Sequence, residues 1–119
     1  MIKASRDGEW VVACLCAEWC GSCREYRDTF DAVARELGAE ARFAWIDIEE
    51  APDVMGEIEV ESFPSVLIAR GDAIVFYGAL TPHAATLSSL VRKALAGDMG
   101  RVEDAALAGL PARVRDAVA

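Results

Sequence analysis

Residues 10–23 read WVVACLCAEWCGSC. The first seven are apolar and rich in strand-forming types without alternation, the pattern of a β-strand buried on both faces. After Cys23 the period changes: Tyr26, Phe30, Val33, Ala34 and Leu37 recur at helical spacing, with Gly38 as the expected stop. Cys20 and Cys23 therefore stand at a strand-to-helix junction. Two thiols so spaced at the start of a helix are close enough to form a disulfide across a short loop. The first also sits where unpaired backbone N–H groups and the positive end of the helix dipole favour a thiolate. A thiolate is the attacking species in thiol–disulfide exchange. Cys20 thus reads as a nucleophile, and Cys23 as the neighbour that releases whatever Cys20 has captured.

Residues 42–48 (RFAWIDI) predict a second strand, and Pro52 opens a helical turn to about residue 58, weakened by Gly56. Residues 65–69 and 73–77 are apolar and β-branched on either side of Arg70-Gly71-Asp72, a hairpin signal. Thr81-Pro82 reads as an N-cap followed by proline at the first helical position. Behind it Ala84, Leu87, Leu90, Val91, Ala94 and Leu95 form an apolar stripe that ends at Gly97. The order βαβ then ββα implies an α/β fold, with parallel strands joined by a right-handed crossover and an antiparallel hairpin added to the same central sheet. Helices flank that mixed sheet. Residues 1–97 are expected to form this domain. Residues 98–119, Ala-rich and divided by Pro111, are expected to form a C-terminal helical extension packed on it.

With 119 residues and 54% apolar content the chain suits one domain with a real core. Its net charge of −8 disfavours nucleic acid and anionic membrane surfaces as partners. The apolar stretch 10–17 is far too short to cross a bilayer. No apolar run follows Met1-Ile2-Lys3, so no signal peptide and a cytoplasmic location are expected. All four cysteines (Cys14, Cys16, Cys20, Cys23) fall in one short segment, unlike the dispersed pattern of a secreted disulfide framework. Clustering points instead to redox chemistry or a metal.

AEWCGSC at 17–23, FPS at 63–65, YGAL at 77–80 and the βαβ unit together resemble thioredoxin over roughly residues 10–96. A lone CxxC is shared with zinc knuckles, but the combination is far more specific. The resemblance implies a thioredoxin-like fold and a protein-disulfide reductase. Cys20 would be the exposed nucleophile and Cys23 the buried resolving thiol, with a redox-active Cys20–Cys23 disulfide in place of any separate cofactor or metal. Pro64, which alone would read as an ordinary turn, becomes a cis-proline facing the dithiol. It would aim the Phe63 backbone at a bound peptide that pairs as an added strand. Trp19, Gly21, Ser22, Phe63, Gly78 and Ala79 would form the substrate-binding surroundings of Cys20. The implied partners are disulfide-bearing proteins, with electrons from a flavoprotein thioredoxin reductase or glutathione.

The sequence departs from the family pattern in several places. Cys14 stands where thioredoxins generally carry a buried Asp, and Trp45 where a Lys often partners it. Resolution by Cys23 must then use water or another group to take its proton. Only residues 1–9 precede the core, where thioredoxins usually have a strand and a helix. Ser22 replaces the usual proline, adding an N–H donor and a hydroxyl, so a more stabilised thiolate and a more oxidising couple than in a proline variant are expected. Arg24 and Arg27 act in the same direction, and Glu18 against it. Cys14 and Cys16, two apart on a strand, share a face. They read first as small apolar core residues, and more sharply as a third redox thiol, with Cys14 beneath Cys23. Two non-enzymatic alternatives are a thioredoxin-like adaptor that binds through the apolar rim and a four-cysteine zinc site. The latter is awkward, because C-x-C on an extended strand does not converge with CxxC at a helix start. His83, the only histidine, reads as a solvated helix-start residue, and Met55 with the acidic run 47–61 as an exposed edge.

Overall fold

The computed structural model describes residues 9–118 apart from 18, 19, 57, 59, 61, 62 and 82. β1 (Trp10–Cys16) lies inside a four-stranded sheet of order β2-β1-β3-β4. It pairs in parallel with β2 (Arg42–Asp47) and antiparallel with β3 (Ser65–Arg70), which continues through a hairpin into β4 (Ala73–Ala79). Residues 11–16 of β1 are 1% exposed or less, which accounts for their unbroken apolar run.

The alternation of a strand divides that run between two cores. Val12, Cys14 and Cys16, with Val66 and Ile68 of β3, face α1 (Gly21–Leu37) and α3 (Ala84–Leu95). Val11, Ala13 and Leu15, with Leu67 and Ala69, face α2 (Pro52–Met55) and α4 (Leu110–Ala117). On the first face Phe30 packs edge-on against Phe43 and Trp45, each at a ring separation of 5.6 Å. The Arg27 guanidinium lies 4.8 Å over the Trp45 ring.

Gly71 (φ 58°) supplies the left-handed residue of the hairpin turn, and Gly56 (φ 57°) stops α2 after one turn, short of the expected residue 58. Two local readings are corrected. The N-cap of α3 is His83 rather than Thr81, whose hydroxyl instead contacts that of Thr86 at 3.2 Å; Pro82 lies outside the described residues. Met55 is not part of an exposed edge but is 5% exposed in the second core, since α2 turns it and Val54 inward.

The segment after α3 crosses to the second face. Val102 donates its N–H to the Ile74 carbonyl at 2.7 Å, a 3-10 turn follows at Ala105–Leu107, and Pro111 opens α4 instead of breaking it. Leu107, Leu110 and Val114 are buried there. Arg115, 2% exposed, ties this helix to the hairpin. Its guanidinium donates to the Gly71 carbonyl and to the Glu9 carbonyl, each at 2.7 Å, and to the Glu9 carboxylate at 3.3 Å. Among the described residues no helix is long and apolar enough to cross a membrane.

Candidate active site

The sheet gathers the expected site at one end. β1 ends at Cys16, and the Cys20 N–H closes a turn onto the Ala17 carbonyl at 3.0 Å before α1 begins. Cys20 is the N-cap residue, with extended backbone (φ −84°, ψ 120°), and its carbonyl accepts the first helical bond from Arg24. Gly21 and Ser22 are exposed on the first turn, Cys20 is half-buried and Cys23 is buried. On β3 the pairing of Leu15 with Ser65 puts the preceding Pro64 beside the end of β1. The Phe63–Pro64 peptide is cis. Gly78 and Ala79 pair with Val66 and Ser65, so they reach the same end. Phe63 and Cys20 both pack against the core cluster that contains Cys23. Trp19 lies outside the described residues.

The disulfide is not the expected one. Cys23 is bonded to Cys16, with Cα atoms 5.8 Å apart, while Cys14 and Cys20 are free. A third cysteine does meet Cys23, but it is Cys16 rather than Cys14. The reason lies in strand geometry. Both residues face α1, and each residue advances the strand by about 3.3 Å, so the last inward-facing residue is the one nearest the start of the helix. Cys14 lies behind, its sulfur 3.6 Å from that of Cys16. Cys16 inside a disulfide carries no proton, so Cys14 is the donor in that contact.

Burial pushes the Cys14 thiol up to about 12, against a smaller opposing pull from Arg27. At pH 8 only roughly one Cys14 in ten thousand is a thiolate, since the thiolate fraction falls tenfold per unit below the pKa. Native protein treated with iodoacetamide is therefore expected to label at Cys20 and not at Cys14, with Cys14 reacting only in denaturant; mapping by mass checks this. The folded state holds the Cys14 proton more tightly than the unfolded chain does. Its contribution to stability is thus complete below pH 9 and declines as pH rises from 9 to about 12.

Tyr26, one turn after Cys23, has a buried hydroxyl with no hydrogen-bond partner among the described residues. Its pKa is raised by burial and further by the Cys14 sulfur. An orphaned buried hydroxyl costs stability, so Tyr26→Phe is expected to stabilise the protein by about 1 kcal/mol in urea unfolding.

Against Cys23 on the other side lies an open cavity of about 470 Å³, walled by Arg24, Arg27, Trp45, Asp47, Glu50 and the end of α4, among others. Two acidic residues, Asp47 and Glu50, thus line the same space as Cys23. The Asp47 backbone is also the register partner of Cys16. Sequence reading assigned neither residue a part; the signal available was that Asp47 ends the strand beside β1. Among the described residues no group of three or more His, Cys, Asp or Glu side chains is placed to hold a metal.

A mixed sheet with helices on both faces, a cis-proline beside the end of its central strand and a thiol at the following helix start define a thioredoxin-fold dithiol protein. The thioredoxin family model matches residues 2–93. A thioredoxin 2 candidate from Streptomyces coelicolor is 33% identical over 101 residues, covering 83% of this chain and 73% of that protein. The Listeria monocytogenes thioredoxin is 30% identical over 59 residues, half of this chain and 57% of that one. The crystal structure of the germline-specific thioredoxin Deadhead of Drosophila melanogaster superposes with a TM-score of 0.65 at 24% identity, over 74% of this chain and 83% of that one. Chloroplastic thioredoxin z gives 0.62 at 26% identity, over 76% and 81%. The chain belongs to the thioredoxin family. Its disulfide-forming Cys16–Cys23 pair is consistent with thiol–disulfide oxidoreductase function.

Proposed function

We propose that this protein reduces disulfide bonds in other proteins, with Cys20 as nucleophile and Cys23 as resolving thiol. The observation that carries the reading is one solvent-reachable thiol at a helix start, followed a turn later by a buried sulfur already engaged in disulfide chemistry. The Cys20 thiolate attacks a substrate disulfide, forming a mixed disulfide and expelling the substrate's other sulfur. Cys23 then attacks Cys20 and releases the reduced substrate. Cys20 stands as the N-cap residue of α1, half-buried and outside the disulfide, so its sulfur is the one that meets substrate first. The usual buried carboxylate being replaced by Cys14, the proton of Cys23 leaves through water in the adjoining cavity, towards Asp47 and Glu50.

Phe63, Pro64, Gly78 and Ala79, with Gly21 and Ser22, form the surface that receives the peptide around the target disulfide, and the family resemblance assigns Trp19 the same substrate-binding role. Residues 1–97 carry this chemistry, and residues 98–119 brace the opposite face of the sheet. In a reducing cytoplasm the net direction is reduction, with electrons resupplied by a flavoprotein thioredoxin reductase or by glutathione. No cofactor beyond the protein's own thiols takes part. Insulin reduction in dithiothreitol, followed by the turbidity of the freed B chain, tests the reading. The protein is expected to shorten the lag severalfold at micromolar concentration. A lag equal to that of dithiothreitol alone would remove the enzymatic account.

A further inference from the structure

Cys16 has no part in a two-cysteine exchange, yet it is the residue joined to Cys23. We propose that Cys16 is a third redox thiol, which takes the disulfide from the exposed pair and holds it in the core as Cys16–Cys23. The proposal rests on the reductase reading above and extends its cycle by one step. After substrate release the oxidised protein holds a Cys20–Cys23 bond. The Cys16 thiolate attacks the Cys23 sulfur, the Cys16–Cys23 bond forms, the Cys20–Cys23 bond breaks, and Cys20 leaves as a thiolate. The proton lost by Cys16 balances the one that Cys20 can regain, and no electrons enter or leave. Re-reduction runs the step backwards: Cys20 attacks Cys23, returns the disulfide to the surface and exposes it to the electron donor.

Three observations support the step. Cys16 and Cys23 have Cα atoms 5.8 Å apart, within the range a disulfide requires. Both are 1% exposed, so their bond is far less accessible to a thiol in solution than Cys20, which is half-buried. The Cys14 sulfur, 3.6 Å from Cys16, remains protonated and can donate to Cys16 when it carries charge. The consequence is an oxidised protein that still presents a reactive thiol at Cys20, whereas a Cys20–Cys23 disulfide would leave none at the surface.

The cleavage pattern of the chain makes the test direct. Cutting after Glu9, Glu18 and Glu25 separates residues 10–18, with Cys14 and Cys16, from residues 19–25, with Cys20 and Cys23. The wild-type protein is oxidised with a peptide disulfide, quenched in acid, unfolded and blocked with N-ethylmaleimide in urea at mildly acidic pH, and digested. The two peptides are expected to be mostly cross-linked through Cys16 and Cys23, with the maleimide on Cys14 and Cys20. A digest in which the linked species is the minority, or is linked through Cys14, overturns the proposal. In a second arm, native oxidised wild type is expected to react with N-ethylmaleimide at Cys20 at least tenfold faster than oxidised Cys16→Ser does. Cys16→Ala replaces that variant if serine in the core prevents folding. Equal rates also count against the proposal. Insulin reduction by the same wild-type preparation separates the two levels: activity without the linked peptides rejects only this step, and no activity rejects the reductase reading itself.

Discussion

Cys20→Ser is expected to reduce insulin-reducing activity to the rate of dithiothreitol alone, while the urea-unfolding midpoint stays close to that of the wild type. The two expectations come from different parts of the structure. Cys20 is free, half-buried and outside the disulfide, and its position as N-cap is satisfied equally well by serine, among the most favoured residues there. Such a substitution changes stability by roughly 0.5 kcal/mol or less. Chemically the change removes the one described cysteine that is not buried, because Cys14, Cys16 and Cys23 are all 1% exposed or less. A hydroxyl at that position is a poor nucleophile without a dedicated base. Residual activity well above background would mean that another sulfur can reach substrate, and the assignment of Cys20 would be wrong.

Arg115→Ala is expected to cost about 3 kcal/mol and to lower the melting temperature by roughly 10 °C. A charged side chain that is 2% exposed survives in a fold only when its hydrogen bonds are made, and Arg115 makes three. Two go to backbone carbonyls, of Gly71 in the hairpin turn and of Glu9 at the entry to β1. Deleting the guanidinium leaves those carbonyls without this donor and leaves a void under α4. Arg115→Lys is expected to recover only part of the loss, since an ammonium cannot span acceptors arranged for a planar fork. Calorimetry on both variants checks the order. A loss under 1 kcal/mol for the alanine variant would mean that the tail is not fixed to the domain as described.

The fold was legible because its strongest signals were long and independent. The apolar run of β1, the helical period of α1 and the glycine turn between β3 and β4 each followed from local chemistry, and their order left few topologies. Chain ends of elements were less legible. Thr81-Pro82 has the composition of a helix start, yet α3 begins at Ala84, because His83 has the extended backbone from which the helix enters. Met55 was misread because a four-residue helix is too short for periodicity to say which face is inside.

The placement of Cys20 and Cys23 at the start of α1, with the Phe63–Pro64 peptide at the same end of the sheet, was legible from residue types and spacing. The disulfide partner was not. Cys14 and Cys16 share a face by strand alternation, and what separates them is distance along the strand to the helix start, a three-dimensional fact. Arg115 gave no signal at all, since an arginine in an eight-residue helix reads as solvated until the hairpin turn is brought beneath it.

The central claim, that Cys20 is the sulfur which attacks substrate, is tested most directly by trapping. In the Cys16→Ser, Cys23→Ser double variant no resolving thiol remains in the proposed cycle. Mixed with a peptide disulfide, it is expected to accumulate a stable one-to-one adduct, mapped by mass to Cys20 and dissolved by dithiothreitol. Failure to form an adduct, or an adduct on Cys14, would contradict the account.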